Sequence, residues 1–275
     1  MRLFFLGTGA AEGVPALFCE CALCAAARRL GGRDLRTRTS VLVANAVRID
    51  LPPDALVHSH RYPDLPLSRL RYLLFTHSHD DHFAIRELQY LSPTFSRDRA
   101  CPMDIWLSKD CLEQLRPVAA RFFEKIPTPL HVVEPYETVK AGPLFVTPIL
   151  ARHKEDEQCF NYLLSETPDG PALLYASDTG WYQEPTWEYL ATRSLRAVVM
   201  ECGNGTIENG YYGHLSISDC LRAKDRLIQC GALARDAPFF LTHLSHAGGL
   251  THAEWIERVA GHNLTIAYDG LDVDI

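Results

Sequence analysis

The chain has 275 residues, of which 47% are hydrophobic, and 27 basic against 34 acidic side chains give a net charge of -7. That is enough apolar material for a large core and excludes a disordered chain, while the acidic balance argues against a broad surface that must neutralise many phosphates of a nucleic acid. The longest apolar runs are broken by charge well before the roughly 18 residues of a membrane span, and Met1 to Leu6 runs straight into Gly7-Thr8-Gly9 without a signal-peptide pattern, so a cytoplasmic protein is expected.

Apolar runs bounded by turn residues predict strands over 2–6, 40–43, 46–50, 71–75, 104–107, 143–150, 160–164, 172–176, 197–200, 239–241, 264–268 and 271–274. Apolar residues at three-and-four spacing predict helices over 84–90, 109–124, 216–229 and 253–259, with Ser108 and Ser216 placed to cap two of them. Asp169-Gly170, between two of the strands, marks a hairpin. Residues 51–66 read as a Pro-rich loop, and no linker or repeat divides the chain, which predicts one domain over 1–275. Strands interspersed with helices throughout favour a layered α/β architecture.

Nine cysteines are an odd count, and without an export signal they argue against a disulfide framework. Cys101, Cys111, Cys159, Cys202, Cys220 and Cys230 are scattered and read as small buried apolar residues. Cys19, Cys21 and Cys24 instead have the tight spacing of a structural zinc site, which needs a fourth ligand from elsewhere. The nearby Arg28, Arg29, Arg33, Arg36 and Arg38 read as a solvated helix face and loop.

The densest chemistry lies in His77-Ser78-His79-Asp80-Asp81-His82. Alternate residues of an extended segment share a face, so His77 and His79 can reach one ion, while a turn near His82 would swing Asp81 and His82 to a second position. Imidazole and carboxylate suit zinc, manganese or iron. Further candidates follow predicted strands: His153, Asp178, His243 and His246. His58 and His60 repeat the two-residue spacing without the Asp-His that should follow, and read as part of a polar loop; His131, His252 and His262 read as structural.

This order, HxHxDH after a strand and then separate His, Asp and His, resembles the metallo-β-lactamase superfamily, with Asp178 in Ser177-Asp178-Thr179-Gly180 and His243 in Leu241-Thr242-His243. Within it the chain is similar to PhnP-type phosphodiesterases in Gly7-Thr8-Gly9-Ala10-Ala11-Glu12-Gly13-Val14-Pro15, the three clustered cysteines, Leu241-Thr242-His243-Leu244-Ser245-His246 and the Tyr268-Asp269-Gly270-Leu271 ending. The resemblance implies a four-layer αββα sandwich. It also implies His77, His79 and His153 on one divalent metal, Asp81, His82 and His243 on a second, Asp178 between them, and His246 closing a Cys3His structural zinc. Two such ions hold a hydroxide that would attack a small phosphodiester, cyclic ones included.

His214, in a loop opening a predicted helix, is the candidate acid for the departing alkoxide, and Asp80 is the candidate for an orienting or proton-handling group. Asp50 matches the strand-end Asp of the superfamily, but Leu51-Pro52-Pro53 follows where relatives place a small residue and glycine, so residues 51–66 could be peculiar to this chain and shape the entrance. The expected partner is a small phosphodiester, with no membrane and no extended nucleic-acid surface; a homodimer is compatible. Two other activities share the scaffold: an iron-dependent oxidoreductase or hydroxylase of the PqqB-like type, which also carries CxCxxC, and a ribonuclease Z-like nuclease, which the acidic charge disfavours.

Overall fold

The computed structural model describes residues 1–97, 102–122 and 128–275. One sheet is built from β1 (Arg2–Gly7), β2 (Ser40–Val43), β3 (Val47–Ile49), β4 (Tyr72–Leu74), β5 (Asp104–Leu107), β6 (Leu130–Val132) and β14 (Asp272–Asp274), in the order β14-β1-β2-β3-β4-β5-β6. The other contains β7 (Val139–Ala141), β8 (Leu144–Leu150), β9 (Phe160–Ser165), β10 (Ala172–Ala176), β11 (Leu195–Glu201), β12 (Phe239–Thr242) and β13 (Thr265–Ile266), in the order β13-β12-β11-β10-β9-β8-β7.

Strand alternation explains how the sheets become inner layers. Along β1, Leu3 and Phe5 point into a core shared with Phe160, Tyr162, Leu173 and Tyr175 of the second sheet. Phe4 and Leu6 point the other way, into a cluster with Leu42, Leu73, Ile105 and Leu107, which also takes Cys111 and Leu115 of helix α3 (Lys109–Phe122). Along β10 the same division places Leu173 and Tyr175 between the sheets, whereas Leu174 and Ala176 face outward. There they meet α4 (Glu184–Ala191), α5 (Ile217–Gln229) and α6 (His252–Arg258) through Trp187, Leu190, Cys220, Leu227 and Trp255. A sheet buried on both faces needs continuous apolar strands, which is why these segments were legible as unbroken runs. The result is the expected αββα sandwich.

Topology gathers the chemistry at one edge. β10, β11 and β12 are parallel neighbours, and β8 shares their direction because both it and β10 are antiparallel to β9. Their C-terminal ends therefore lie on the same side, and the Phe160 amide donates to Thr76 O (2.9 Å), tying that side to the segment leaving β4.

Among the described residues three further α-helices were not anticipated: α1 (Ala22–Leu30), α2 (Ala55–Arg61) and α4. The short edge strands β6 and β7 were also missed. The segment expected to be a helix over 84–90 is a 3-10 helix, Ile85–Leu91. Ser216 caps α5 with a reciprocal bond to Asp219, and the Cys111 amide donates to Ser108 Oγ (3.1 Å), as their positions suggested. The Asp169-Gly170 turn joins β9 to β10 as an antiparallel pair.

The 51–66 segment is not a free loop. Tyr62 packs edge-on against Phe4 (4.9 Å between centroids), and Leu65 is buried. Residues 123–124 of the helix expected over 109–124, and Cys101, lie outside the described residues. Among the others, Cys111, Cys159, Cys202 and Cys220 are buried as expected, but Cys230 is exposed. No helix of the described residues is long and apolar enough to cross a membrane.

Candidate metal centre

Just beyond β4, His77 and His79 lie on either side of Ser78, and the chain then turns so that the His82 amide donates to His79 O (2.9 Å). His77 Nε2 lies 3.0 Å and His153 Nε2 2.9 Å from His79 Nδ1, and the same two Nε2 atoms lie 3.7 and 3.5 Å from Asp178 Oδ2. On the other side of that carboxylate, Asp178 Oδ1 is 3.2 Å from His82 Nε2 and 3.0 Å from His243 Nε2. Asp81 Oδ2 completes this second group, 3.0 Å from His82 Nε2. The two oxygens of Asp178 thus face two different donor sets. All four ligand atoms within each set lie within 4.8 Å of one another.

These side chains fit divalent ions better than they fit each other. Asp81 Oδ2, His82 Nε2 and His243 Nε2 are buried without a hydrogen-bond partner, although carboxylate and imidazole atoms stand close by. Buried polar atoms left unmatched are costly, and a cation is the partner that this donor set requires. Burial opposes charge on His82, yet the surrounding Asp178, Asp81 and Asp50 hold its pKa well above the ordinary value. For His243 burial is likewise outweighed by Asp178, raising it to about 10. In each case the carboxylates demand a positive charge at that place.

The ligands are held from behind. His82 Nδ1 donates to Asp50 Oδ2 (2.7 Å), and that carboxylate also accepts from the Thr76 amide (2.9 Å). Nδ1 of His153 donates to Gly213 O (3.0 Å), which turns Nε2 inward. Asp50, Asp178 and His243 all adopt left-handed backbone, with φ of 63°, 39° and 54°. Non-glycine residues rarely do so, and such strain concentrates at functional sites.

His214 stands beside this centre, its ring stacked on His243 with centroids 5.2 Å apart. Its Nδ1 lies 3.1 Å from Oε1 of Glu201, the fully buried last residue of β11, which also accepts from the Leu215 amide (3.0 Å). Burial disfavours protonation of His214, but Glu201 prevails and its pKa is raised. Glu201 escaped sequence reading, although an acid ending an otherwise apolar strand was a usable signal, since a buried carboxylate needs partners. Asp80 is exposed and is not among the converging donors.

His246 lies against the three clustered cysteines, in a group that could hold a metal ion. His246 Nδ1 lies 3.4, 3.6 and 3.6 Å from the sulfurs of Cys19, Cys21 and Cys24. Zinc bonds of about 2.3 Å to sulfur and about 2.0 Å to nitrogen, at a tetrahedral angle, would separate these atoms by roughly 3.5 Å. Amides of Cys21, Cys24 and Ala16 donate to Cys19, Cys21 and Cys24 sulfurs respectively, as thiolates require. The His246 hydrogen bond lowers the Cys21 thiol to about 6. Glu12 accepts from Ser245 Oγ (2.6 Å) and the His246 amide (3.3 Å), anchoring the loop that carries both His243 and His246.

Two other polar residues stand elsewhere than expected. Arg36 is buried, not solvated, and donates to Thr8 Oγ1 (2.8 Å), Ala267 O (2.6 Å) and His252 Nδ1 (3.1 Å). His58 is fully buried on α2, accepting from Arg48 at Nδ1 (3.1 Å) with Nε2 2.9 Å from Thr37 Oγ1. The polar-loop reading failed for His58 because α2 turns this face inward; His60 lies on the same helix and is exposed. His131 pairs with Asp104 and stacks on Trp106.

Residues 46–235 match the family model described as the beta-lactamase superfamily domain, which spans both donor sets except His243. The chain belongs to the metallo-β-lactamase superfamily. Solved structures of similar fold include a diphosphatase of the PhnP family, 20% identical with a TM-score of 0.76, covering 100% of this chain and 97% of that one. Zinc-bound PqqB from Methylobacterium extorquens matches over the full length of both chains at 16% identity and a TM-score of 0.77. The short form of human tRNase Z, also 16% identical, gives 0.67 over 100% of this chain and 99% of its own. At these identities the likeness is one of fold. An octanoyltransferase of Porphyromonas gingivalis (strain ATCC BAA-308 / W83) is 28% identical over 164 residues, 56% of this chain. The chain spans about a third, 31%, of that curated relative's length.

Proposed function

We propose that this metallo-β-lactamase-fold protein is a phosphodiesterase acting on small phosphodiesters, cyclic ones included. The observation that carries this reading is the placement of the Glu201–His214 pair beside two donor sets joined by Asp178. His77, His79, His153 and Asp178 would hold one divalent ion; Asp81, His82, His243 and Asp178 would hold the other. Zinc, manganese or iron suits these ligands. When bound, such ions acidify water and neutralise charge on nonbridging phosphate oxygens.

The rest is done by side chains. Glu201 fixes Nδ1 of His214 and favours its protonated form, so Nε2 carries the proton that a departing alkoxide needs. Asp50 and Gly213 O keep the rings of His82 and His153 from rotating. An acid aimed at a leaving group serves hydrolysis and has no evident use in an oxygen-dependent hydroxylation, which favours the hydrolase over the PqqB-like reading. The Cys3His set would hold a structural zinc that fixes the loop bearing His243.

Metal analysis combined with assays on bis(p-nitrophenyl) phosphate and a cyclic nucleotide tests this. The expected outcome is hydrolysis of at least one of the two, and a fall of about 10²- to 10⁴-fold in turnover for His214→Ala with metal content intact. Unchanged turnover in that variant removes His214 from the mechanism. A single iron with oxygen-dependent turnover and no phosphodiesterase activity overturns the proposal.

A further inference from the structure

Glu157 lies in the segment between β8 and β9, four residues after His153, and only 2% of its side chain is exposed. It does not touch the converging donor atoms. Its Oε1 accepts from the Ser78 amide (2.8 Å), its Oε2 accepts from the Ser78 hydroxyl, and Lys154 Nζ donates to the same oxygen (2.5 Å). Gln114 Nε2 of α3 donates to Ser78 Oγ (2.8 Å), and Lys154 Nζ approaches it at 3.3 Å. The hydroxyl therefore uses its one donor and both acceptor positions. Cys111, also of α3, directs its thiol to Glu157 Oε1 (3.5 Å).

Ser78 is the residue between His77 and His79, and Lys154 is the neighbour of His153. In an extended segment the side chain of Ser78 points away from the face that carries the two histidines, so gripping its amide and hydroxyl fixes their pitch without entering their space. A carboxylate accepting charged and neutral donors makes the stronger class of hydrogen bond. The second donor set has no such support from Glu157: His82 is held by Asp50, and His243 Nδ1 has no hydrogen-bond partner.

We propose that Glu157 is a positioning residue that clamps the peptide of His77 and His79 to that of His153, and so sets the metal affinity of that donor set alone. This rests on the reading of the cluster as a two-metal centre. Because Glu157 itself binds no ion, its effect is geometric, and its contacts are to Ser78 and Lys154, the neighbours of the histidines of that set.

The test uses zinc-loaded protein dialysed against graded chelator, counting the zinc equivalents retained. His79→Ala and Asp81→Ala serve as references for loss of the first and second ion. In Glu157→Gln, where an amide faces Lys154, one equivalent is expected to leave at tenfold or more lower chelator than in the native protein. The release profile should resemble that of His79→Ala, with the other two equivalents retained as in the native protein. Equal retention of all ions, or equal weakening of both active-site ions, overturns the proposal. If the native protein holds zinc only in its cysteine site, the two-metal reading falls and this one with it, a result visible before any variant is made. Should Glu157→Gln fail to fold, Ser78→Ala removes a single buried hydroxyl and is expected to shift the same equivalent in the same direction by a smaller factor; no shift overturns the clamp.

Discussion

Histidines are buried in two regions of this molecule, in opposite company. At the strand ends, His82 and His243 face Asp81 and Asp178, and Asp81 Oδ2, His82 Nε2 and His243 Nε2 lack hydrogen-bond partners. Beside α2 and α6, His58 and His252 face Arg48 and Arg36, and each receives a guanidinium hydrogen bond at Nδ1. An arginine has no acceptor, so these Nδ1 atoms must carry lone pairs and the rings are neutral, with any donation made from Nε2. For His58 that donation reaches Thr37 Oγ1, which passes its own proton to Asp269 Oδ2 (2.7 Å). Burial alone does not make a histidine a metal ligand. What decides is the charge opposite: carboxylates that leave room for a cation in one region, and a resident cation in the other.

The largest test of this contrast is Asp178→Asn. The substitution keeps the shape but removes the charge shared by both donor sets. Both ions are expected to be lost or bound far more weakly, with turnover falling on the order of 10³-fold or more. His58→Gln and His252→Gln, by contrast, should retain the native metal content. Metal analysis of the three proteins checks this, and loss of active-site metal from either glutamine variant would erase the distinction between the regions.

A smaller effect separates the same regions by stability. Divalent ions bind the folded donor sets, so the native chain should become more stable as free metal rises, by about 4 kcal/mol at a thousandfold excess over Kd for one site. Melting curves with and without zinc should show this rise in the native protein and much less of it in Asp178→Asn. Removing His246 by His246→Ala should cost one zinc equivalent and part of the stabilisation, because Cys19, Cys21 and Cys24 would keep only three ligands for a site that closes with four. An equal response in all three proteins would mean that neither cluster binds the ion in the folded state.

The two clusters also differ in how legible they were. Cys19, Cys21 and Cys24 announce themselves within six residues, and the hexapeptide at 77–82 does so too. His153, Asp178 and His243 stand out because each follows an apolar run, and the family resemblance gives them their places in the ligand set. Their supports were not found. Glu157 and Glu201 act through contacts made 79 and 13 residues away along the chain; nothing local distinguishes Glu157 from a solvated acid, and Glu201 is marked only by ending an apolar strand. The same limit hid α2, where Pro52-Pro53 suggested a loop although the helix begins two residues later and buries His58. Strands β6 and β7 were missed because each closes the edge of a sheet and needs few apolar residues; Val132 is 42% exposed. Every strand whose residues are all buried was read, since there the core dictates each residue, whereas of the exposed edge strands β13 and β14 were read and β6 and β7 were not.

The smallest expected effect concerns the arginine-facing region and pH. Burial, with Arg48 adding to it, lowers His58 from 6.5 to about 2, and burial with Arg36 lowers His252 to about 4. The unfolded chain takes up these protons as pH falls through 6.5, whereas the folded chain refuses them until about 4 and then about 2. Above 6.5 neither group affects stability. Below it the unfolded state binds more protons, so stability falls with pH, by up to about 1.4 kcal/mol per pH unit for the fully buried His58. Denaturation midpoints of the metal-free protein between pH 7 and pH 5 should therefore decline, and His58→Gln, which has no proton to gain, should give a shallower slope even where its absolute stability is lower. Parallel slopes for the two proteins would show that His58 is protonated in the folded state, and the guanidinium of Arg48 could not then be donating to it.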